Sequence, residues 1–322
     1  MTKGPFVSII MPVRNEAAYL ERGLKAVLEQ DYPKDRMEII IADGMSTDGT
    51  RKIIVELQKK NLNIQLIDNP GKIVSSGLNA GIEKSTGEII VRVDGHCEIA
   101  PDYVSRCVDY LQSGNADGVG GPIKTIGENF LSKAIAQAMS SRFGVGGSAF
   151  RIGVKKPVQV DTIAFAAYKR STLQKAGPFD EELVRNQDDE YNHRLRKMGY
   201  RLLLAPDIRS KYYSRASLQG LGGQYFQYGF WKVRVFQKHP AQMKLRQFVP
   251  SIFLLAVCFQ PGIVFPLYVF AVFVASMGIA FRKGWQYLAI MPLIFGILHF
   301  SYGLGFLIGM LKFWNRWECR HE

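Results

Sequence analysis

The stretch GLNAGIEKSTGEIIVRVDGH, from Gly77 to His96, reads as a helix followed by a strand. Residues 75–84 have helical character, and GEIIVRVDG is a short apolar run that ends on Asp94. Working outward, the same alternation recurs toward the N-terminus. FVSIIMPV (Phe6 to Val13) is an apolar run expected of a buried strand, and RNEAAYLERGLKAVLEQ places Leu20, Leu24, Val27 and Leu28 on one helical face. MEIIIAD (Met37 to Asp43) is a second buried strand that closes on an acid. Thr47 to Lys59 reads as a helix opening on a Thr/Asp cap, and NIQLIDN as a third strand. Strand, helix, strand, helix implies an α/β fold with a parallel sheet and right-handed crossovers. Ligands of such sheets sit at the carboxyl ends of the strands, where Pro12, Asp43 and Asp94 fall. No GxGxxG follows the first strand, so the dinucleotide fingerprint is absent.

The chain has 322 residues and a formal net charge of +13, with pI near 9.5. That balance points to an anionic partner or an acidic membrane face, or simply to a well-solvated surface. Four cysteines, Cys97, Cys107, Cys258 and Cys319, form no CxxC pair and are read as free thiols of a reducing compartment. The N-terminus MTKGPFVSIIMPVRNE has no long apolar run typical of a secretory signal.

Near residue 247 the composition shifts. Gln247 to Phe281 carries no charge; Arg282 and Lys283 interrupt, and Gly284 to Leu311 is charge-free again. Both stretches are long enough to span a bilayer. The first contains Pro250, Pro261 and Pro266, so it is expected to be one kinked helix or a tight hairpin, giving two or three spans. Before it, WKVRVFQKHPAQMKLRQF interleaves Lys232, Arg234, Lys238, Lys244 and Arg246 with aromatic residues. This pattern is expected of a basic-aromatic belt on an anionic leaflet, with the N-terminal domain in the cytoplasm of a multi-pass membrane protein. No basic-aromatic nucleic-acid module is present, and no nucleic-acid partner is expected. The expected domains are a cytoplasmic catalytic domain over 1–235, a basic amphipathic juxtamembrane segment over 236–248, transmembrane helices over 249–312 and a short tail over 313–322.

VSIIMPVRNEAAYLERGL, IIIADGMSTDGT, GLNAGIEKSTGEIIVRVDGH and NQDDEYNHRLRKMGY follow one another in order. Together they resemble the successive blocks of family 2 glycosyltransferases with the GT-A fold. The resemblance covers about residues 5 to 235 and is finest with membrane-bound, succinoglycan-type glucosyltransferases. It implies a GT-A domain followed by transmembrane helices. The implied activity is inverting transfer of a hexose from a nucleotide sugar, expected to be UDP-linked, to a lipid-linked polyprenyl acceptor in polysaccharide biosynthesis. A polyprenyl-phosphate glycosyltransferase and a non-catalytic membrane scaffold are the alternatives.

Residue by residue, the resemblance puts Pro12 and Glu16 in the nucleotide block, with Glu16 toward the ribose, and matches Asp43 to the acid that hydrogen-bonds uracil. Ala42 stands where the family has another acid. Lys72, in the NPGK turn, falls near the expected nucleotide site. Asp94-Gly95-His96 occupies the family's DxD position, which implies Mn²⁺ or Mg²⁺; the imidazole of His96 suits Mn²⁺ better. Aligned on Arg194-Leu195-Arg196, Asp188 is the implied general base, with Gln187 in place of a Glu. A slip of one residue would make it Asp189. Asp189 and Glu190 then sit in the first turn of a helix, where acids are favoured, with Arg194 and Arg196 spaced to pair with them. Gln227 and Trp231, in LGGQYFQYGFWK, are the expected acceptor-loop residues, or part of the aromatic belt. They resemble a QxxRW motif in which Phe230 replaces the Arg, a departure that argues against a processive synthase.

Overall fold

The computed structural model describes residues 4–317. In chain order the elements are β1 (Val7–Val13), α1 (Leu20–Leu28), β2 (Met37–Asp43), α2 (Thr50–Gln58), β3 (Ile64–Asp68), α3 (Val74–Lys84), β4 (Ile89–Arg92), β5 (Cys97–Ile99) and α4 (Tyr103–Gln112). Then come β6 (Gly118–Gly120), β7 (Ile123–Ile126), α5 (Phe130–Met139), the one-turn helices α6 (Arg142–Val145) and α7 (Ala149–Ile152), β8 (Val158–Gln159), β9 (Ala167–Lys169) and α8 (Arg170–Ala176). The C-terminal part holds α9 (Gln187–Lys197), β10 (Leu202–Leu204), β11 (Ser210–Tyr213), α10 (Leu218–Lys238), α11 (Leu245–Phe259), α12 (Pro261–Lys283) and α13 (Met291–Lys312). Cys319 and the end of the expected tail, 318–322, lie outside the described residues.

The chain divides into two compact units, one of residues 1–124 and 153–212, the other of 125–152 and 213–322. The first unit is the α/β body. Its main sheet runs in the order β3-β2-β1-β4-β9-β6-β10-β8. β3, β2, β1 and β4 are parallel, in the register Ile39↔Ile64, Val7↔Met37 and Val7↔Ile89. β9 inserts antiparallel between β4 and β6. β1 is buried along its whole length, which is why its sequence is a continuous apolar run rather than an alternating one. A smaller three-stranded sheet, β5-β11-β7, adjoins it in the chain, and the division between the units falls within β7 and β11.

The core beneath α3 and α9 joins Ile10, Leu78, Ile90, Tyr168, Phe179, Tyr191 and Leu195. Tyr191 stacks on Phe179 with ring centroids 3.9 Å apart. Tyr168 donates to Asn192 Oδ1 at 2.7 Å, and Asn192 Nδ2 donates to the Ile163 carbonyl at 2.8 Å. α9 is therefore fixed to the sheet by apolar packing and by a satisfied buried polar network. Cys97 and Cys107 are buried free thiols and Cys258 an exposed one; burial pushes the Cys107 thiol upward, so it stays protonated.

The second unit is helical. α12 and α13, of 23 and 22 residues, are long and apolar enough to cross a membrane; α11, with 15, is too short to do so upright. The charge-free stretch from Gln247 is thus a hairpin and not one kinked helix. α11 ends at Phe259, Pro261 opens α12, and Phe253 meets Tyr268 across the turn with centroids 4.3 Å apart. Outward-facing apolar side chains line α11 (Val249, Ile252, Phe259) and α12 (Leu267, Phe270, Phe281).

The expected boundary at residue 235 falls inside α10, a single helix that packs along α13. The approach is close enough that a Cβ at Gly229 would collide with the Tyr302 carbonyl, and one at Gly305 with the Phe226 carbonyl. The expected amphipathic segment over 236–248 is instead the end of α10, a short 3₁₀ turn at Pro240–Gln242 and the start of α11. The basic belt is also corrected in part. Lys232 and Arg234 are only 6% and 2% exposed. Arg234 Nη1 donates to Gln237 Oε1 at 2.5 Å and to the Arg316 carbonyl at 2.8 Å, while Gln237 donates to the Phe313 carbonyl. Arg234 and Gln237 thus bind carbonyls that follow the end of α13, where a cation such as Arg234 is favoured, and Lys232 and Arg234 are buried within the helical unit. Lys244 alone of the five basic residues is exposed.

Candidate active site

At the carboxyl edge of the parallel strands the loop chemistry concentrates. β1 ends at Val13 and the chain turns through Asn15, whose φ is +55°. β2 ends at Asp43 and turns through Met45, at +56°. β3 is followed by Lys72, at +59°, and Asn186, at +62°, stands directly before α9. Among the described residues these are all the non-glycine residues with positive φ. Three of these turns follow β1, β2 and β3 at one sheet edge and the fourth opens α9; the conformation is disfavoured for Met45 and Lys72, whereas Asn tolerates it.

The Asn15 and Met45 turns are clasped together. Asn15 N donates to Ser46 Oγ at 2.9 Å and Thr47 N donates to Asn15 Oδ1 at 2.9 Å. Glu16 N donates to Thr50 Oγ1 at 2.8 Å, and Ala17 N to Asp48 Oδ2 at 3.1 Å. The expected cap of α2 is in this way spent across loops: Gly49 in the left-handed region precedes the helix, and Asp48 and Thr50 hold the neighbouring turn.

Asp43 is fully buried. It accepts from Ser46 N at 3.2 and 3.3 Å and from Arg51 Nη1 at 3.2 Å. Arg51 also pairs with Asp68 at 2.6 Å, so one guanidinium ties the ends of β2 and β3. Pro12 is buried in β1, with α3 so close that a Cβ at Gly77 would lie 3.2 Å from the proline ring carbon Cβ; its contacts are packing contacts. Lys72 is exposed, and its carbonyl accepts from Arg14 Nη1 at 3.4 Å.

Asp94 lies two residues beyond the end of β4. Arg92 holds it with two parallel bonds, Nε to Oδ1 at 2.9 Å and Nη2 to Oδ2 at 3.1 Å. Arg92 is 8% exposed. Burial works against its charge, but Asp94 and then Asp188 act the other way, and the net direction is upward: the guanidinium stays protonated. Glu16 and His96 are brought together, with His96 Nδ1 2.8 Å from Glu16 Oε1, and Tyr212 meets the imidazole edge-on at 5.0 Å.

The three adjacent acids at the start of α9 have separate fates. Glu190 is buried and paired with Arg194 at 3.0 Å, one helical turn on. Arg194 also donates to the carbonyls of Ala176 and Pro178, so this pair is structural. Asp188 and Asp189 remain partly exposed. Asp188 Oδ1 accepts from Asp189 N at 2.9 Å within the first turn, where the helix dipole favours a carboxylate.

For a divalent ion, no group of three or more His, Cys, Asp or Glu side chains among the described residues forms a ready cage. The residues present nevertheless fit an ion that completes its shell with diphosphate oxygens and water, because Asp94 is a carboxylate and His96 has its Nδ1 side occupied by Glu16. That pairing favours the tautomer with Nε2 as the electron-pair donor, the arrangement seen in metal-ligating histidines. Gln227 and Trp231 belong to the other unit. They bond each other along α10, Trp231 Nε1 to Gln227 Oε1 at 3.0 Å, and Trp231 packs on Phe230 and Phe313.

Arg92 is the residue that sequence reasoning missed, although the spacing carried the signal: residues two apart on a strand share a face, and Arg-Val-Asp sets a cation beside the acid.

A mixed α/β sheet with acids at the ends of its parallel strands, followed by apolar helices, is a GT-A-like architecture. The chain belongs to glycosyl transferase family 2, whose family model matches residues 8–177. It is 33% identical over 244 residues to the succinoglycan biosynthesis protein ExoA of Rhizobium meliloti (strain 1021), spanning 75% of this chain and 73% of that protein. It is 29% identical over 315 residues to a dolichyl N-acetyl-alpha-D-glucosaminyl phosphate 3-beta-D-2,3-diacetamido-2,3-dideoxy-beta-D-glucuronosyltransferase of Methanococcus voltae, covering 95% and 98% of the two chains. Among solved structures, the mannosyltransferase PcManGT from Pyrobaculum calidifontis, in complex with GDP-Man and Mn²⁺, superposes with a TM-score of 0.59 at 19% identity. That match covers 94% of this chain and 88% of the other, a likeness of fold.

Proposed function

We propose that this glycosyltransferase moves a hexose, with inversion, from a UDP-linked sugar to a hydroxyl of a lipid-linked glycan at the cytoplasmic face of the membrane. The observation that carries the reading is the sheet edge itself. Asp43 stands before the Met45 turn at the end of β2, Asp94 lies just beyond β4, and Asp188 follows Asn186 at the start of α9. The name of the first relative, in succinoglycan biosynthesis, supports a glycan product, and that of the second, acting on a dolichyl-phosphate-linked sugar, supports an acceptor on a lipid. α12 and α13 support membrane attachment.

In this reading Asp188 takes the proton from the acceptor hydroxyl as that oxygen attacks the anomeric carbon opposite the diphosphate. The carbon–oxygen bond to the nucleoside diphosphate breaks, and the configuration inverts. Glu190 takes no part, being consumed by Arg194. A divalent cation held by Asp94 and His96 would neutralise charge on the departing diphosphate. Asp43, fixed by Ser46 and Arg51, presents the acid that accepts from the uracil N–H, and Glu16 faces the ribose.

Calorimetric titration of the full chain in detergent tests the donor side. UDP is expected to bind about tenfold or more tightly than GDP, and Asp43→Asn to weaken UDP binding, since the neutral amide replaces a charged acceptor for the uracil N–H. GDP binding more tightly than UDP would remove the uracil assignment.

A further inference from the structure

The Arg92–Asp94 pair asks what a buried cation does beside the carboxylate assigned to the divalent ion. Three observations bear on it. Both Asp94 oxygens are engaged by one guanidinium in a bidentate geometry. Arg92 is fixed from its backbone, its N–H donating to the Ala166 carbonyl of the segment leading into β9 at 3.0 Å, so the side chain starts from a rigid strand. Asp188 lies within electrostatic range of the same guanidinium. Arg92 therefore stands as a fixed positive charge held against one acid of the site and felt by the other.

We propose that Arg92 is a positioning residue that makes cation binding conditional on the nucleotide: it holds Asp94 in one fixed orientation while cancelling the charge that would otherwise attract a divalent ion without the nucleotide. This rests on the reading of Asp94 as a cation ligand. With Arg92 compensating Asp94, an incoming dication meets little net negative charge from the protein. The diphosphate brings the missing charge, so ion and nucleotide enter together and leave together. Each Asp94 oxygen keeps a second lone pair for the ion, which is why the arginine need not be displaced. A neutral residue at position 92 would do the opposite of what lost structure predicts, because it strengthens binding of the bare ion.

The test is Mn²⁺ titration of the full chain in detergent, read by electron paramagnetic resonance, with and without saturating UDP. For the wild type, Mn²⁺ is expected to bind about tenfold or more tightly with UDP present than without it. R92Q and R92M are expected to bind Mn²⁺ alone about tenfold more tightly than the wild type, whereas R92K, which keeps the charge, stays near the wild-type value. D94N serves as the control that loses the ion in both conditions. Equal Mn²⁺ affinity with and without UDP in the wild type, or neutral variants that fold by circular dichroism and bind Mn²⁺ no better than R92K, would overturn the inference alone. Mn²⁺ bound in neither condition would overturn it together with the cation role of Asp94.

Discussion

Asp188→Asn is expected to lower transfer by about 10²- to 10⁴-fold, the usual worth of a positioned general base. UDP affinity should stay within about twofold. The substitution is isosteric: an amide oxygen can still accept from Asp189 N, so the first turn of α9 is kept. What is lost is the negative charge and the proton acceptor. Glu190→Gln behaves differently, because it removes the charge that pairs with Arg194, the residue that anchors α9 to the Ala176 and Pro178 carbonyls. Its cost is in stability, about 1–3 kcal/mol, discounted because Arg194 is partly exposed. Turnover measured beside urea denaturation separates the two. Retained turnover in Asp188→Asn with loss in Asp189→Asn would shift the base by one residue.

Gly305→Leu is expected to prevent α10 from packing on α13. Even a Cβ at Gly305 meets the Phe226 carbonyl, and backbone cannot move aside as a flexible side chain can. Overpacking in a close-packed interior costs about 1–3 kcal/mol, and a branched side chain forced between two backbones should exceed that range. Gly262→Leu is the matched control, since nothing stands within 4 Å of a Cβ there. Thermal unfolding in detergent should show a drop of many degrees for the first and little for the second. Equal melting of the two would mean that α10 and α13 are not in close contact.

The parallel half of the sheet was legible because a strand buried on both faces is a continuous apolar run: VSIIMPV and MEIIIAD coincide with β1 and β2. The other half was not. β6, β9 and β10 have three residues each and β8 two, too short for any period to show. In the helical unit, absence of charge gave the apolar stretches, but Gln260-Pro261 marked a turn that charge counting alone leaves open. Lys232 and Arg234 were misread because a basic residue beside aromatic ones reads as exposed; burial became favourable only once groups distant in sequence, such as the Arg316 carbonyl, were brought to Arg234. In the site, Asn15 and Asn186 carried a local sign, since Asn tolerates the left-handed region, while Met45 and Lys72 are held there by tertiary structure. Pairing of Glu16 with His96, 80 residues away, left no local trace.

The most direct test of the central claim is to incubate membranes bearing the chain with a panel of labelled nucleotide sugars and extract the lipid fraction. Label from one UDP-sugar should enter a lipid-linked glycan, in the inverted configuration, and be lost with Asp188→Asn. Label that never enters the lipid fraction, or that enters equally with Asp188→Asn, would contradict it.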